Sequence, residues 1–246
     1  MKTVLCITAL FACALSGYSQ PTGNVLLRVY QIRFHNETAT AFLLDYEDRQ
    51  YFVTARHVME SVADGTDASV ELVGPTLKEW KSYPVTVLLG KNKCVDVAIL
   101  IPAEKKLSPA EAIPYPYTYA FGQEAYFLGF PYGLYTSFAG QGTGGVALIK
   151  HAYVSARVRC YAIYKDGDTD QEFILLDGFN NPGFSGGPIV APDMFSPFTN
   201  IRVQKLIGVV GGFVQVSSAN TGIITATPIE KAVELIKAYV DKQKKP

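Results

Sequence analysis

From position 25 to position 226 the chain is cut by turn residues into short runs rich in β-branched and aromatic side chains, and only its C-terminal end carries a clear helical period. Such runs fit a pleated, half-buried surface. They fall at 25–34, 41–44, 51–54, 69–73, 85–89 and 95–101, and again at 125–128, 146–149, 153–163, 172–176, 189–190, 206–210, 213–216 and 222–226. Between the two groups lies 104–116 (EKKLSPAEAIPYP), whose three prolines mark a connector. Many short strands at this spacing predict an all-β protein built from antiparallel sandwiches or barrels. Each half, about 20–103 and 117–226, has enough strands for one barrel. At the end, Ile229, Ala232, Val233, Ile236 and Val240 recur at helical spacing behind Thr227-Pro-Ile-Glu230. That pattern predicts a capping box with Pro228 at the first helical position. A helix over 227–243 then needs a surface to cover, and a barrel flank supplies one.

With 48% hydrophobic and 18% charged residues in 246, the chain can bury a sizeable core. Lys+Arg and Asp+Glu both number 22, which gives no electrostatic case for a nucleic-acid partner. The basic tail at 242–245 reads as a solvated helix end. At the N-terminus one lysine precedes an apolar run that ends in small residues before Gly17-Tyr-Ser-Gln20, the layout of a secretory signal peptide over 1–19. The run is too short to span a bilayer comfortably. Cleavage after Ser16 or Ser19 fits the small-residue rule, and a lipid anchor at Cys13 is the alternative. The protein is therefore expected to be exported, periplasmic or extracellular.

Cys6 and Cys13 lie in that leader, so Cys94 and Cys160 remain for the mature chain. They either pair or stay as two buried thiols. His35, His57 and His151 are dispersed, with no metal-ligand spacing, and neither metal nor cofactor is expected.

Three segments carry chemistry. Thr54-Ala-Arg-His57-Val58 follows an apolar strand, Asp96 opens Asp-Val-Ala-Ile-Leu100, and Ser185 sits in Asn181-Pro-Gly-Phe-Ser-Gly-Gly-Pro188. A serine hydroxyl is a weak nucleophile near neutral pH; it needs a base, and the base needs a partner that fixes its tautomer. His57, Asp96 and Ser185 supply these catalytic roles in the order His, Asp, Ser. Attack on a carbonyl creates a negative oxygen, which backbone N–H groups stabilise. The N–H groups of Gly183 and Ser185 are the expected oxyanion hole. Gly186 and Gly187 let the chain pass close beneath the serine, and Pro188 begins the next strand. The remaining histidines read as surface or satisfied polar groups. The aromatics around Tyr115, Tyr117, Tyr119, Phe121 and Tyr126 read as packing.

At these residues the sequence resembles the trypsin-like serine peptidases, closest to the bacterial Deg/HtrA-like catalytic domain. Thr40-Ala-Phe-Leu43, TARHV, Asp96-Val-Ala-Ile-Leu, Leu128-Gly-Phe-Pro-Tyr-Gly-Leu134, the serine loop, Leu206-Ile-Gly-Val-Val210 and Gly222-Ile-Ile-Thr-Ala-Thr-Pro228 match motifs of that family across about 25–230. The resemblance implies a chymotrypsin-like fold of two antiparallel six-stranded β-barrels with a C-terminal α-helix. It implies a substrate pocket lined from Phe179 to Gly183 and by Gly211, Gly212 and Phe213, with protein or peptide substrates. No acid stands six residues before the serine, where Phe179 sits, so a small or medium apolar preference is expected before the scissile bond. The chain departs from the family in two ways. No PDZ module is expected after the helix, and Phe184 replaces a small polar residue, a bulk that could tune activity or obstruct the cleft. The function expected is serine endopeptidase. The alternatives are a non-catalytic binding module on the same fold, or an esterase-like acyl hydrolase.

Overall fold

A run such as Phe42-Leu43-Leu44 is apolar at every position because both faces of its strand are covered, one by the inside of a barrel and the other by a neighbouring barrel. The computed structural model describes residues 21–35, 37–115, 118–136, 145–164, 170–192 and 204–244. The expected signal peptide and the Cys13 anchor lie outside the described residues, as does Tyr117. After a short helical turn, α1 (Gly23–Leu26), six strands form the first barrel: β1 (Val29–Phe34), β2 (Glu37–Tyr46), β3 (Arg49–Thr54), β4 (Thr66–Gly74), β5 (Leu77–Leu89) and β6 (Ala98–Pro102). All pair antiparallel in the closed order β1-β2-β3-β6-β5-β4. Six more form the second: β7 (Glu124–Gly129), β8 (Leu148–Arg159), β9 (Glu172–Asp177), β10 (Pro188–Pro192), β11 (Gln204–Val216) and β12 (Ala219–Pro228). They close in the order β10-β11-β12-β9-β8-β7, the same sequence of neighbours as in the first barrel. The chain ends in α2 (Ile229–Gln243). The fold is the expected pair of six-stranded antiparallel barrels with a C-terminal helix.

Alternate residues of each strand fill different cores. Ile32, Ala41, Leu43, Phe52, Leu72 and Leu100 fill the first barrel, and Phe127, Val154, Ile174, Phe184, Ile189 and Ile224 the second. The residues of opposite parity, Phe42, Leu44, Val53 and Ile99, meet Leu128 and Val209 between the barrels. Ile229, Ala232 and Ile236 of α2 join that same cluster. The helix thus packs at the junction of the two barrels as well as on a flank. Each fully buried side chain of this size contributes roughly 1.5–3 kcal/mol, so the barrels are held as one body.

Several sequence expectations are corrected. Residues 25–27 are not strand. Thr22 O accepts from Val25 N at 3.1 Å and Leu26 N at 3.2 Å, and the turn delivers Arg28, 1% exposed, to the connector. There its guanidinium donates to the carbonyls of Ala110 and Glu111 and pairs with Asp45. Residues 95–97 are also irregular, because Asp96 occupies a tight loop before β6. The runs 146–149 and 153–163 are one strand, β8, that ends in a 3-10 turn at Cys160–Ala162. The runs 206–210 and 213–216 are likewise one strand, β11, interrupted by register shifts. The capping box does not form. Thr227 is held extended by pairing with Val209, Pro228 takes the N-cap position, and no side chain caps the helix. Of the two possibilities for the cysteines, Cys94 and Cys160 are paired, with Cα atoms 5.6 Å apart. The bond ties the β5–β6 loop of one barrel to the end of β8 in the other.

Candidate active site

His57 lies in a 3-10 turn, Arg56–Met59, directly after β3. Asp96 lies in the β5–β6 loop. That loop is folded tightly: Val95 N donates to Asn92 O at 2.9 Å, Val97 N to Val95 O at 2.8 Å and Gly90 N to Val97 O at 2.8 Å. Arg56 Nε holds the Gly90 carbonyl at 3.0 Å. The residue beside the histidine therefore also fixes the loop that carries the aspartate. Both Asp96 oxygens then serve His57. Oδ2 meets Nδ1 at 2.8 Å and Oδ1 accepts the backbone N–H at 3.0 Å. This arrangement sets the ring's orientation and favours the tautomer with its proton on Nδ1.

Burial alone would lower the His57 pKa. The hydrogen bond and charge of Asp96, with the charges of Glu37 and Glu60, outweigh that and lift it above the usual histidine value. Glu37 and Glu60 also line an open cavity of about 460 Å3, with Phe34, His35 and Val58, in which His57 forms one wall. His35 shares the lining of that cavity but stacks on Phe34, and His151 Nε2 meets Glu124 Oε1 at 2.9 Å.

Ser185 sits in the turn between β9 and β10. Its hydroxyl donates to Gly211 O at 3.1 Å, and among the described residues it makes no hydrogen bond to His57. Gly211 itself abuts the aspartate: a Cβ there would lie 3.1 Å from Asp96 Oδ2. One glycine thus touches both the acid and the serine, which brings His57, Asp96 and Ser185 to one place.

The glycines around Ser185 answer to distinct neighbours. Gly183 has φ +102°, and a Cβ would lie 2.3 Å from Phe130 O. Gly186 has φ +82°, and a Cβ would lie 2.2 Å from Thr40 O. Neither position admits a side chain without moving backbone. Pro182 O accepts from Tyr132 N at 2.9 Å. In a trans peptide the N–H points opposite the carbonyl, so this bond turns the Gly183 N–H away from Tyr132. The N–H groups of Gly183 and Ser185 have no acceptor among the described residues.

Phe184 does not obstruct the cleft. It is fully buried in the second barrel, edge-on to Phe127 at 4.9 Å, and so anchors the serine loop from below. Of the expected pocket residues, Phe179 is 53% exposed, and Gly211–Phe213 form a stretch of β11. Asn180, which the sequence did not single out, joins these walls through Nδ2 to Gly212 O at 3.2 Å.

Thr40, in a strand that matches the family, does more than pair in β2. It is fully buried. Its N–H donates to Ser185 O at 2.9 Å, and its Oγ1 donates to Gly183 O at 2.6 Å while accepting from Phe130 N at 3.1 Å. No local pattern discloses these bonds, because Phe130, Gly183 and Ser185 are 90 positions or more away.

The comparisons bear on family and fold. The chain matches the family model of the trypsin-like peptidase domain over residues 39–194. No curated protein matches it. Among solved structures, an inactive form of Rv3671c from M. tuberculosis H37Rv, a serine-to-alanine mutant, is 17% identical. The match covers 90% of each chain with a TM-score of 0.57. The HtrA-type protease AlgW with a tripeptide is 19% identical over 89% of this chain and 62% of its own, with a TM-score of 0.61. At these identities the structural likeness speaks for the fold, and the family model, which spans more than half of the sequence, speaks for membership. The chain belongs to the trypsin-like peptidase domain family, and its two barrels share the fold of HtrA-type proteases.

Proposed function

We propose that the protein is an exported serine endopeptidase, with Ser185 as nucleophile, His57 as general base and acid, and Asp96 as the group that orients His57. The observation that carries this reading is the His57–Asp96 pair, with two hydrogen bonds at 2.8 and 3.0 Å, beside a serine whose hydroxyl is held on Gly211, the glycine that abuts Asp96. Rotation about the Cα–Cβ bond of Ser185 takes the hydroxyl off Gly211 O. Catalytic hydrogen bonds often tighten only once substrate is bound.

In the reaction, Oγ attacks the peptide carbonyl and its proton passes to His57 Nε2. The N–H groups of Gly183 and Ser185 receive the oxyanion. His57 then protonates the leaving amine, and the C–N bond breaks. Water repeats the sequence on the acyl-enzyme and restores Ser185. The cavity beside His57, lined by Glu37 and Glu60, gives room for the leaving-group side of a peptide. The leader at 1–19 supports export.

The test is labelling of the purified mature protein with a fluorophosphonate, beside Ser185→Ala, with casein as substrate. The expected result is labelling and cleavage, both abolished in the variant. The loss in turnover is expected to be about a millionfold. Labelling without cleavage of casein or peptides would favour an acyl hydrolase. A folded wild-type protein that takes no label would favour a binding module.

A further inference from the structure

Lys150 stands on β8, directly across from Phe127 on β7, on the same face of the strand as buried Ala152 and Val154. Its partly buried side chain reaches the serine loop. Nζ donates to Phe179 O and, at 3.1 Å, to Asn181 Oδ1. The ammonium also lies 5.6–5.9 Å from the ring centres of Phe127, Phe179 and Phe184. Among the described residues no carboxylate pairs with it. A half-buried cation without a counter-ion is costly unless its donors are used, and both of these donors serve the segment just before the nucleophile.

Other bonds hold the neighbouring carbonyls, with Asn220 Nδ2 on Asn180 O at 2.7 Å and Tyr132 N on Pro182 O at 2.9 Å, but Lys150 is the charged donor among them. Asn181 Nδ2 reaches the Tyr132 hydroxyl at 3.4 Å, a weak bond, and Pro182 has no N–H to donate. The next peptide, Pro182–Gly183, carries one of the two oxyanion donors in the reading above. Fixing Phe179 and Asn181 fixes the path into that peptide. Phe184, on the far side of Gly183, packs in the same aromatic group that surrounds the ammonium. The loop is therefore gripped at 179, 181 and 184 by one lysine and its rings.

We infer that Lys150 is a positioning residue for the oxyanion hole, acting through Phe179 O and Asn181 Oδ1 to hold the Gly183 N–H toward the reacting carbonyl. The role rests on Ser185 being the nucleophile. It is a role for charge-assisted hydrogen bonding and not for bulk. Partial burial against the loop lowers the Lys150 pKa.

Two substitutions separate these possibilities. Lys150→Met keeps the length and the apolar packing among three rings but donates nothing. Lys150→Arg keeps the donors and the charge. In mature protein, Lys150→Met should lower kcat on a peptide substrate, and the rate of fluorophosphonate labelling, by roughly tenfold to a hundredfold, the scale of an ångström of misalignment. KM should change far less. Lys150→Arg should restore most of the loss. Backbone amide exchange over 179–184 should rise in the methionine variant and not in the arginine variant. Unchanged kcat and exchange in folded Lys150→Met overturn the inference, as does equal loss in both variants, which would assign Lys150 to packing alone. A wild-type protein that takes no label overturns the nucleophile reading and this inference together. A labelled wild type with an indifferent Lys150→Met overturns this inference alone.

Discussion

Thr40 of the first barrel and Gly183 of the second meet through a 2.6 Å hydrogen bond from Oγ1 to the carbonyl oxygen. The same Oγ1 accepts from Phe130 N, and the Thr40 N–H donates to Ser185 O. The serine loop is therefore built against a strand of the other barrel, and a change at Thr40 is felt at Ser185.

Thr40→Val keeps the shape and removes the hydroxyl. The Gly183 carbonyl and the Phe130 N–H are then left unpaired in a buried place, which costs about 2 kcal/mol. The melting temperature should fall by roughly 4–8 °C. Fluorophosphonate labelling should slow by more than the fall in stability explains, because Gly183 carries an oxyanion donor in the proposed mechanism. Thr40→Ser should behave nearly as wild type. Equal labelling rates for wild type and Thr40→Val, measured well below both melting temperatures, would show that this bond serves stability only.

The pH profile follows from the environment of His57. The ring acts as a base only when neutral, and its neighbours raise its pKa. The acid limb of kcat/KM should therefore lie above about 6.5, the ordinary histidine value: activity is low below that limb and rises as pH increases through it. Glu37→Gln or Glu60→Gln removes one charge that favours the imidazolium, so each should move the limb to lower pH. Asp96→Asn should lower kcat by about 10⁴, because the amide can donate to Nδ1 and so favour the wrong tautomer. Acid limbs that coincide in wild type and both glutamine variants would contradict the electrostatic account.

The disulfide is a second, covalent tie between the barrels. Cys94 and Cys160 are separated by 66 positions, and closing a loop of that size contributes about 4 kcal/mol through the unfolded chain. Cys160→Ser should therefore lower the melting temperature by roughly 8–16 °C. Cys94 lies two residues before Asp96, so the same variant should also broaden the pH-rate acid limb as the aspartate loses its fixed place. Both cysteines are buried, at 2% and 0% exposure. Mild reductant should act on the folded protein far more slowly than on a partly unfolded one. Identical melting of Cys160→Ser and wild type would remove the tie from the account of stability.

What the sequence disclosed and what it hid divide along one line, the distance over which a signal acts. Strand rhythm is local, and it marked part of each of the twelve strands, although β5 begins at Leu77, eight residues before the run at 85–89, and β8 and β11 were each split in two. It failed at Val25, whose apolar character serves the inter-barrel core from a helical turn, and at Val95 and Val97, which flank the Asp96 loop. The capping-box pattern at Thr227 was overridden because strand pairing with Val209 holds that backbone extended. Cysteine spacing alone cannot say whether two thiols pair. The order of His57, Asp96 and Ser185 and the glycines around the serine are legible because chemistry confines them to short motifs. Lys150, Asn180 and the contact of Gly211 with Asp96 carry no such motif, and the strand motif that holds Thr40 does not disclose its bonds to the serine loop. Each acts across the fold, on a partner that only the closed barrels bring near.

The pocket walls give the last prediction. Gly212 has open space around it: a Cβ there meets only Thr225 Oγ1, at 3.7 Å. Its backbone is anchored on both sides, with the N–H on Thr225 Oγ1 and the carbonyl accepting from Asn180 Nδ2, each at 3.2 Å. A side chain at 212 is therefore tolerated by the fold, and in the pocket expected from Phe179 and Gly211–Phe213 it takes up space. In the proposed pocket that space takes the substrate side chain before the scissile bond. Asp177, the nearest acid in sequence, is exposed at the end of β9 and pairs through its backbone with Tyr153 and Ile223. An apolar preference of small or medium size is expected in wild type. Gly212→Val should leave the melting temperature and the labelling by a small fluorophosphonate nearly unchanged. It should reduce cleavage after Leu or Val by roughly tenfold or more, relative to cleavage after Ala, a discrimination worth about 1.4 kcal/mol. A peptide library read by mass spectrometry reports both outcomes. Cleavage confined to Arg or Lys in wild type, or a Gly212→Val profile identical to it, would place the pocket elsewhere.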